Sequence, residues 1–384
     1  MTAAFNKQAW WHRIKPWFSG FDIPLVLAIA WMMGVGMVSM YSAGFDHGTR
    51  FVDHGRNMLL AIGLIFVVSQ VPPQRIMSLA IPLYTVCIAL LLATALFGIT
   101  KKGATRWLNV GIVIQPSELA KIATPLMLAW WFQKREGALR LPDFLAAFVL
   151  LMLPVILVAK QPDLGTSLLV AGAGLFVIFF AGLSWRLIVP AFVIGALGIS
   201  ALVMSEETIC QPDVKWKVLR EYQKHRVCTL LDPNKDPLGK GFHIIQGGIA
   251  IGSGGLTGKG FMQGTQTHLE FIPERTTDFI FAAYGEEFGL VGALALLAGF
   301  TALILRGLAI ASDAATIFAR LMAGAVTMSF FTYVFVNIGM VSGILPVVGV
   351  PLPFISYGGT AMVTLGLSLG LLMSIAKSRR FNQS

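Results

Sequence analysis

Long apolar runs recur along nearly the whole chain, and they limit its fold more than any other feature. The hydrocarbon core of a bilayer is roughly 30 Å thick and needs about 20 apolar residues in a helix. Only 12% of the residues are charged, whereas soluble proteins carry about 25%. The sequence therefore predicts an all-α, polytopic integral membrane protein. We predict ten transmembrane helices, at approximately residues 22–43, 57–71, 76–98, 117–133, 144–160, 164–183, 187–204, 278–305, 317–341 and 354–376.

Positively charged residues predict the orientation of these spans, because short cytoplasmic loops carry an excess of Lys and Arg. With the N-terminus inside, the inner segments hold thirteen Lys and Arg residues and the short outer loops hold six. We therefore predict that both termini are cytoplasmic. The chain then divides into residues 1–204 with seven helices, a large periplasmic loop at 205–277, and residues 278–384 with three helices.

The three cysteines indicate a disulfide candidate rather than a metal site. Cys87 lies inside a predicted span, whereas Cys210 and Cys228 share the predicted outer loop. The periplasm is oxidising and permits disulfides. The sequence has no C-x-x-C motif and no cluster of His and Cys, so it does not predict a zinc site.

Four of the predicted spans begin at the outer surface with a polar motif. Proline or a polar turn precedes each one, and Ser117, Asp163, Thr277 or Asp278, and Ser356 are reasonable N-caps. Helix N-termini present unpaired N–H groups and partial positive charge, which suit an anion such as phosphate. For Ser117 and Ser356 a purely structural capping role is the favoured interpretation.

Several charged residues near these helix starts are candidates for a binding site. Glu118 and Lys121 are three residues apart on one helical face and within a span, where ionisable groups are costly and usually functional. A structural ion pair between them is the alternative. Arg106 beside Trp107 suits an interfacial anchor or an anionic lipid headgroup. Asp163 either caps its helix or lines the same site.

The segment that leads into the eighth span carries three further acids. Helical spacing places Asp278 and Glu286 on one face, where both could line one cavity, with Glu287 about 100° further round. A carboxylate in a partly dry cleft near cations can act as a general base. A buried ion pair with Arg275 or Arg306 explains one of these acids equally well.

The glycine-rich run IGSGGLTGKG at 251–260 does not match a phosphate-binding loop. Ser253 stands where the first glycine of G-x-x-x-x-G-K-[S/T] is needed, and Gly260 replaces the hydroxyl residue. We expect a flexible loop that moves over a bound substrate.

Three long motifs resemble the SEDS family of shape, elongation, division and sporulation proteins. They are LDPNKDPLGKGFHIIQGGIAIGSGGLTGKGF at 231–261, THLEFIPERTTDFIF at 267–281 and NIGMVSGILPVVGVPLPFISYGGT at 337–360. The resemblance covers essentially the whole chain, and the run VSGILPVVGVPLP is closer to the rod-shape branch than to the division branch. The segment 206–215 looks longer than the family pattern.

This resemblance implies a peptidoglycan glycosyltransferase of the inner membrane that polymerises lipid II on the periplasmic side. The essential aspartate of the family falls on Asp278, and the charged cavity residues fall on Glu118, Lys121 and Asp163, with Arg106 as a further match. Ser356 completes the expected substrate-binding set. The implied partners are lipid II, a class B penicillin-binding protein transpeptidase and other elongation proteins, with no nucleic acid among them.

The chemistry of such a reaction fits these residues. One inverting displacement needs one base, for which we assign Asp278, and the leaving pyrophosphate needs charge stabilisation. Arg106, Lys121, the helix N-termini, or a hydrated Mg²⁺ shared by Asp278 and Glu118 are the candidate sources of that stabilisation. The rival interpretations are a flippase of a lipid-linked precursor, favoured by the depth of Glu286 and Glu287, and a non-catalytic scaffold.

Overall fold

The structure is a computed structural model, and about 75% of it is helical. It describes residues 17, 19–46, 48–101, 104–109, 111, 113–135, 137, 139–211, 214, 221–236, 239–272 and 274–381. The helices are α1 Ile23–Ala43, α2 Arg50–Ser69, α3 Pro73–Ser78, α4 Ala80–Phe97, α5 Pro116–Lys134, α6 Leu141–Lys160, α7 Leu164–Phe180, α8 Trp185–Met204, α9 Glu206–Ile209, α10 Glu221–Leu231, α11 Lys240–Gly254, α12 Thr265–His268, α13 Ile280–Ser312, α14 Ile317–Val341 and α15 Gly359–Phe381.

The predicted multi-pass membrane fold is confirmed. Eight of the described helices are long and apolar enough to cross a bilayer, namely α1, α2, α4, α6, α8, α13, α14 and α15. Helices α5 and α7 occupy the other two predicted spans. Helix α7 has 17 residues, and α5 carries Glu118, Lys121 and Lys134. The exact number of spans therefore stays a prediction.

Helices α14 and α15 form the centre of the bundle, with two-thirds of each membrane-length window buried. Helix α15 packs along α2 through glycines. A Cβ at Gly366 would lie 3.0 Å from the Ala61 backbone, and one at Gly370 would lie 2.7 Å from Val68 Cβ. The two backbones therefore approach too closely for any larger side chain. Helix α8, in contrast, has no buried residue among those described.

A small antiparallel sheet interrupts the helical pattern between α4 and α5. It consists of β1 Ile99–Lys101, β2 Ala104–Asn109 and β3 Val113–Ile114, in the order β1-β2-β3. Thr100 pairs with Thr105, and their hydroxyls lie 2.8 Å apart. The sheet was not predicted, and it carries Arg106 on its central strand.

The segment 205–277 is folded onto the bundle. Its described residues contain α9 to α12 and the 3₁₀ turn Pro233–Lys235. Cys210 and Cys228, the candidate pair, form a disulfide with Cα atoms 5.6 Å apart. Helix α11 packs against α13 so closely that a Cβ at Gly254 would overlap the Gly285 carbonyl.

The prediction of a flexible glycine-rich loop at 251–260 is wrong. Residues 251–254 end α11, and residues 255–260 pair with α13 where Gly289 (φ 63°, ψ −161°) breaks that helix. A broken helix at membrane depth leaves backbone groups that a neighbouring segment must satisfy. Four backbone hydrogen bonds of 3.0 Å do so here: Leu290 N–H to Gly255 C=O, Val291 N–H to Leu256 C=O, Lys259 N–H to Glu286 C=O and Gly260 N–H to Glu287 C=O.

Gly289→Ala is expected to destabilise the protein strongly. The backbone at this position is open essentially to glycine alone, and strain there costs about 1–3 kcal/mol. A Cβ would also lie 2.3 Å from Gly258 N. Thermal unfolding in detergent measures the loss, and Gly195→Ala in α8, where nothing lies within 4 Å of the added Cβ, is the matched control. Equal melting temperatures for the two variants would contradict the role of this break.

The disulfide predicts a specific pattern of thiol labelling. Denatured protein that has not been reduced is expected to take up one alkylating group, at Cys87, and reduced protein is expected to take up three. Intact-mass spectrometry distinguishes the two. Three labels without prior reduction would show that the pair is not bonded.

Candidate functional site

Asp278 lies in the turn that precedes α13, and it is half-buried against the segment 342–358. Asn337 of α14, which is fully buried, donates from Nδ2 to the Asp278 carbonyl (2.9 Å) and to the Val350 carbonyl (2.7 Å). Gly349 lies beside the carboxylate, because a Cβ there would be 3.3 Å from Asp278 Oδ2. One amide thus holds the candidate base and the segment next to it together.

Ser356 fixes the same two segments from the other side. Its hydroxyl donates to the Thr277 carbonyl (2.6 Å) and accepts from Leu352 N–H (2.8 Å). Tyr357 N–H donates to the Thr276 carbonyl (2.8 Å). The N-cap prediction for Ser356 is wrong, because α15 begins three residues later and the hydroxyl is used in this loop pairing.

Asp163 and Arg106 form a second group at the start of α7. Asp163 is the N-cap, as predicted, and accepts from Thr166 N–H (3.2 Å). Gln115 Nε2 donates to its Oδ2 (3.2 Å), and Arg106 Nε lies 3.8 Å from the same oxygen. Arg106 also donates to the Pro162 carbonyl (2.5 Å). The start of α7, the start of α5 and strand β2 therefore meet at one point.

The N-cap predictions at the starts of α5 and α13 are wrong. Gln115 precedes α5, because Pro116, which has no N–H, occupies the first helical position and places Ser117 inside the first turn. Phe279 precedes α13, so Thr277 and Asp278 belong to the preceding turn.

The Asp278 and Asp163 groups share one loop. A Cβ at Gly165, in the first turn of α7, would lie 2.7 Å from the Val348 carbonyl. Val348 immediately precedes Gly349, which lies beside Asp278. The first turn of α7 and the Asp278 carboxylate therefore both lie against residues 348–349, which makes the two groups neighbours in the candidate site.

Glu118 and Lys121 form the ion pair that the sequence left as an alternative. Glu118 Oε1 and Lys121 Nζ are 2.6 Å apart, with side chains 16% and 7% exposed. Lys121 also donates to the Tyr333 hydroxyl (2.9 Å), and the Thr364 hydroxyl donates to Glu118 Oε2 (2.7 Å). A cavity of about 20 Å³ borders Lys121, Tyr333 and Thr364. The ion pair and its two hydrogen bonds therefore link α5, α14 and α15 deeper in the bundle than the site.

Glu286 does not share a cavity with Asp278. It is fully buried and is surrounded by donors from the segment 259–267. The donors are Lys259 Nζ (2.7 Å), Gln266 N–H (2.9 Å), Thr265 Oγ1 (3.1 Å), Thr267 Oγ1 (3.1 Å) and Thr267 N–H (3.2 Å). Glu287 accepts from Ser42 of α1. These contacts make both acids anchors for neighbouring segments, which removes the main argument for a transport path.

The alternative partners suggested for these acids are also wrong. Arg275 pairs with Asp46, at 2.5 Å, and Arg306 pairs with Asp22, at 2.5 Å. Lys259 is the cation of Glu286. The two residues are 27 positions apart in the chain, so the sequence did not indicate that they pair.

The shared Mg²⁺ suggested for Asp278 and Glu118 stays a prediction. Both Glu118 oxygens are used, one by Lys121 and one by Thr364. Within the described residues, no group of three or more His, Cys, Asp and Glu side chains could hold a metal ion. No step below is therefore assigned to a metal.

Three residues of the site were not predicted from the sequence. Asn337 and Tyr333 lie four apart on α14, and a side-chain amide inside a mostly apolar span, as at Asn337, is a recognisable signal. Gln115 gave no signal of its own.

Arg226 of α10 donates to the Val347 carbonyl (2.9 Å), so the segment 205–277 also reaches the loop beside Asp278.

Comparison with known proteins agrees with this architecture. Residues 22–381 match the FtsW/RodA/SpoVE family model, described as cell cycle protein. The chain belongs to this family, and the resemblance to SEDS proteins is confirmed. MrdB of Escherichia coli K12, named peptidoglycan glycosyltransferase, is 48% identical over 99% of this chain and 98% of its own. RodA of Treponema pallidum, also named peptidoglycan glycosyltransferase, is 32% identical over 93% and 98%.

Two solved structures share the fold. RodA of Thermus thermophilus is 27% identical with a TM-score of 0.69, covering 94% of this chain and 98% of that one. A chain from a structure described as "Structural coordination of polymerization and crosslinking by a peptidoglycan synthase complex" is 31% identical, with a TM-score of 0.77 and coverage of 94% and 99%.

Lys121→Met is expected to cost about 3–5 kcal/mol of stability, because it leaves the Glu118 carboxylate buried without its cation. Adding Glu118→Gln should recover part of that loss. Arg135 and Asp143, whose side chains are 48% and 13% exposed, provide the control pair, for which Arg135→Met should cost about 1 kcal/mol or less. Denaturant unfolding measures all three variants. A double variant no more stable than Lys121→Met would contradict coupling between the two residues.

Proposed function

We propose that this chain is a peptidoglycan glycosyltransferase that polymerises lipid II into β-1,4-linked glycan strands during cell elongation. The observation that carries the proposal is the half-buried Asp278 carboxylate, which lies near the helix start capped by Asp163, the residue that Arg106 of β2 approaches. The names of MrdB and RodA support the same activity.

Asp278 acts as the general base. The acceptor GlcNAc 4-hydroxyl gives its proton to this carboxylate while its oxygen attacks the anomeric carbon of the donor MurNAc. The donor is α-linked to pyrophosphate and the product is β-linked, so one displacement inverts the configuration. Asn337 and Ser356 position the base, since they hold the backbone on either side of it. Ser356 therefore supports the substrate site through the Thr277 carbonyl.

Arg106 and the first turn of α7 stabilise the leaving pyrophosphate. Fixed positive charge and backbone N–H groups lower the barrier where negative charge develops. Arg106 is 30% exposed and is held by the Pro162 carbonyl, so its guanidinium faces both protein and solvent. Lys121 is committed to Glu118 and Tyr333, so its charge is largely neutralised and its role is to hold α5 against α14.

The site faces the periplasm, and both termini are cytoplasmic. The turn before α13 and the starts of α7 and α15 converge on the site, and the segment 205–277 reaches the same loop through Arg226. The Lys and Arg bias of the short loops places this end of the bundle outside the inner membrane.

The partners are lipid II, a class B penicillin-binding protein transpeptidase and other elongation proteins. The related chain in the structure described as a peptidoglycan synthase complex supports a transpeptidase partner. A polymerase that elongates a strand and an enzyme that crosslinks it act on the same product.

Asp278→Asn is expected to reduce polymer formation by about 10²–10⁴-fold, because the amide cannot accept the proton. The assay incubates purified protein and its class B transpeptidase with labelled lipid II and separates the glycan products on a gel. Glu270→Gln is the matched control, since Glu270 lies in the same segment with its side chain 65% exposed.

Two outcomes would overturn parts of the proposal. Undiminished polymer from Asp278→Asn would exclude this residue as the base. Absence of polymer with wild-type protein, together with protein-dependent translocation of lipid II across vesicles, would favour the flippase.

A further inference from the structure

Two adjoining cavities lie at the end of α15 that is remote from the site. One is polar, has a volume of about 250 Å³ and is bordered by Gln70, Ser374, Lys377 and Ser378. Lys377 is 18 residues beyond Gly359, which places it about 27 Å along the helix from the end that meets the catalytic loop. The cavity is therefore separate from the site already described.

The second cavity is an apolar groove of about 520 Å³ between α1, α2 and α15. Ile29, Ala30 and Met33 of α1 line one wall, and Ile62 and Phe66 of α2 line the other. Ile62 is 48% exposed, so the groove is open along the outer surface of the bundle. A groove of this kind on a membrane-spanning surface accommodates a hydrocarbon chain.

Three contacts join the groove to the polar cavity. Met373 closes the groove, and the next residue, Ser374, borders the cavity. Lys377 Nζ lies 5.8 Å from the centre of the Phe21 ring, which lines the groove. Gln70 Nε2 donates to the Phe66 carbonyl (3.3 Å). The two cavities therefore form one amphiphilic surface with a polar end and an apolar end.

The charge at the polar end is positive. Lys377 has three N–H donors, and among the residues that the structure describes its side chain donates to Gln70 Oε1 alone, at 2.6 Å. Neither cavity is lined by an acidic residue among those the structure describes. Trp17, which is 54% exposed, stacks on Phe66, and tryptophan is enriched where membrane meets water. The Lys377 ammonium group therefore lies at the level of the lipid headgroups.

We propose that this surface binds an anionic glycerophospholipid, with its phosphate at Lys377 and one acyl chain in the groove. An amphiphile with a negative head and a hydrocarbon tail matches both the sign of the charge and the order of the two cavities. The site lies in the leaflet opposite the candidate catalytic residues, and it does not depend on the proposed reaction.

Native mass spectrometry of the full chain, released from detergent, tests the headgroup. The probes are dimyristoyl phosphatidylglycerol and dimyristoyl phosphatidylcholine, which have identical chains. Wild-type protein is expected to bind the anionic lipid about fivefold more tightly, the effect of one cation near a membrane surface. Lys377→Gln should abolish this preference. Lys134→Gln, which removes an exposed cation from the end of α5, should leave it unchanged.

The groove is tested with Ala30→Trp, which should weaken binding of both lipids by filling the space. Leu27→Trp is the control, because Leu27 is on the same helix, 64% exposed and outside the groove. If Ala30→Trp does not yield monodisperse protein, Val26→Phe on the groove wall takes its place with the same expectation.

Several results would overturn the proposal. They are equal binding of the two lipids by wild-type protein, an equal effect of Lys134→Gln and Lys377→Gln, and groove variants that bind lipid like Leu27→Trp. Glycerol 3-phosphate, the soluble headgroup, should not bind at lipid concentrations. If it binds as well as the lipid, the cavity is a site for soluble phosphate and the lipid assignment fails.

Discussion

The side-chain amide of Asn337 is the interaction on which the candidate site depends. Backbone carbonyls that leave regular helices inside a membrane protein must find donors within the protein, because the bilayer core supplies none. Two such carbonyls, of Asp278 and Val350, come from segments more than 70 residues apart, and one buried nitrogen serves both. The position of the carboxylate follows from this shared donor, and Ser356 secures the same pairing from the opposite side.

A similar constraint shapes the region around Gly289. Helix α13 breaks there, and its unpaired backbone groups bond to residues 255–260, while the Glu286 side chain collects the donors of the following turn. The segment 205–277 is consequently tied to the bundle at this break, through the hydrogen bond from Arg226 to the Val347 carbonyl, and along α11. Polar side chains inside the bundle are thus concentrated beside non-helical segments, whose backbone N–H and C=O groups need hydrogen-bond partners.

The sequence predicted the multi-pass helical fold, because apolar runs of membrane length have few alternatives. It also placed Asp163 correctly as a helix cap, since a proline and an acid mark that start. It did not predict the sheet around Arg106, whose short strands are held by cross-strand pairing rather than by a hydrophobic pattern. Glycine content suggested a loose loop at 251–260, but tertiary backbone hydrogen bonds outweighed that local preference. The partners of Glu286 and Glu118 depend on residues far away in the chain, which periodicity does not reveal.

The close contact of α15 with α2 has a consequence for how variation along this chain should be interpreted. Gly366 and Gly370 lie far from any reacting group, yet a single added methyl group at either would overlap the facing helix. Whether a substitution is tolerated at these positions depends on how closely the two helix backbones approach each other. It does not depend on the reaction. Strict retention of glycine here would be expected even in a relative that had lost its catalytic carboxylate.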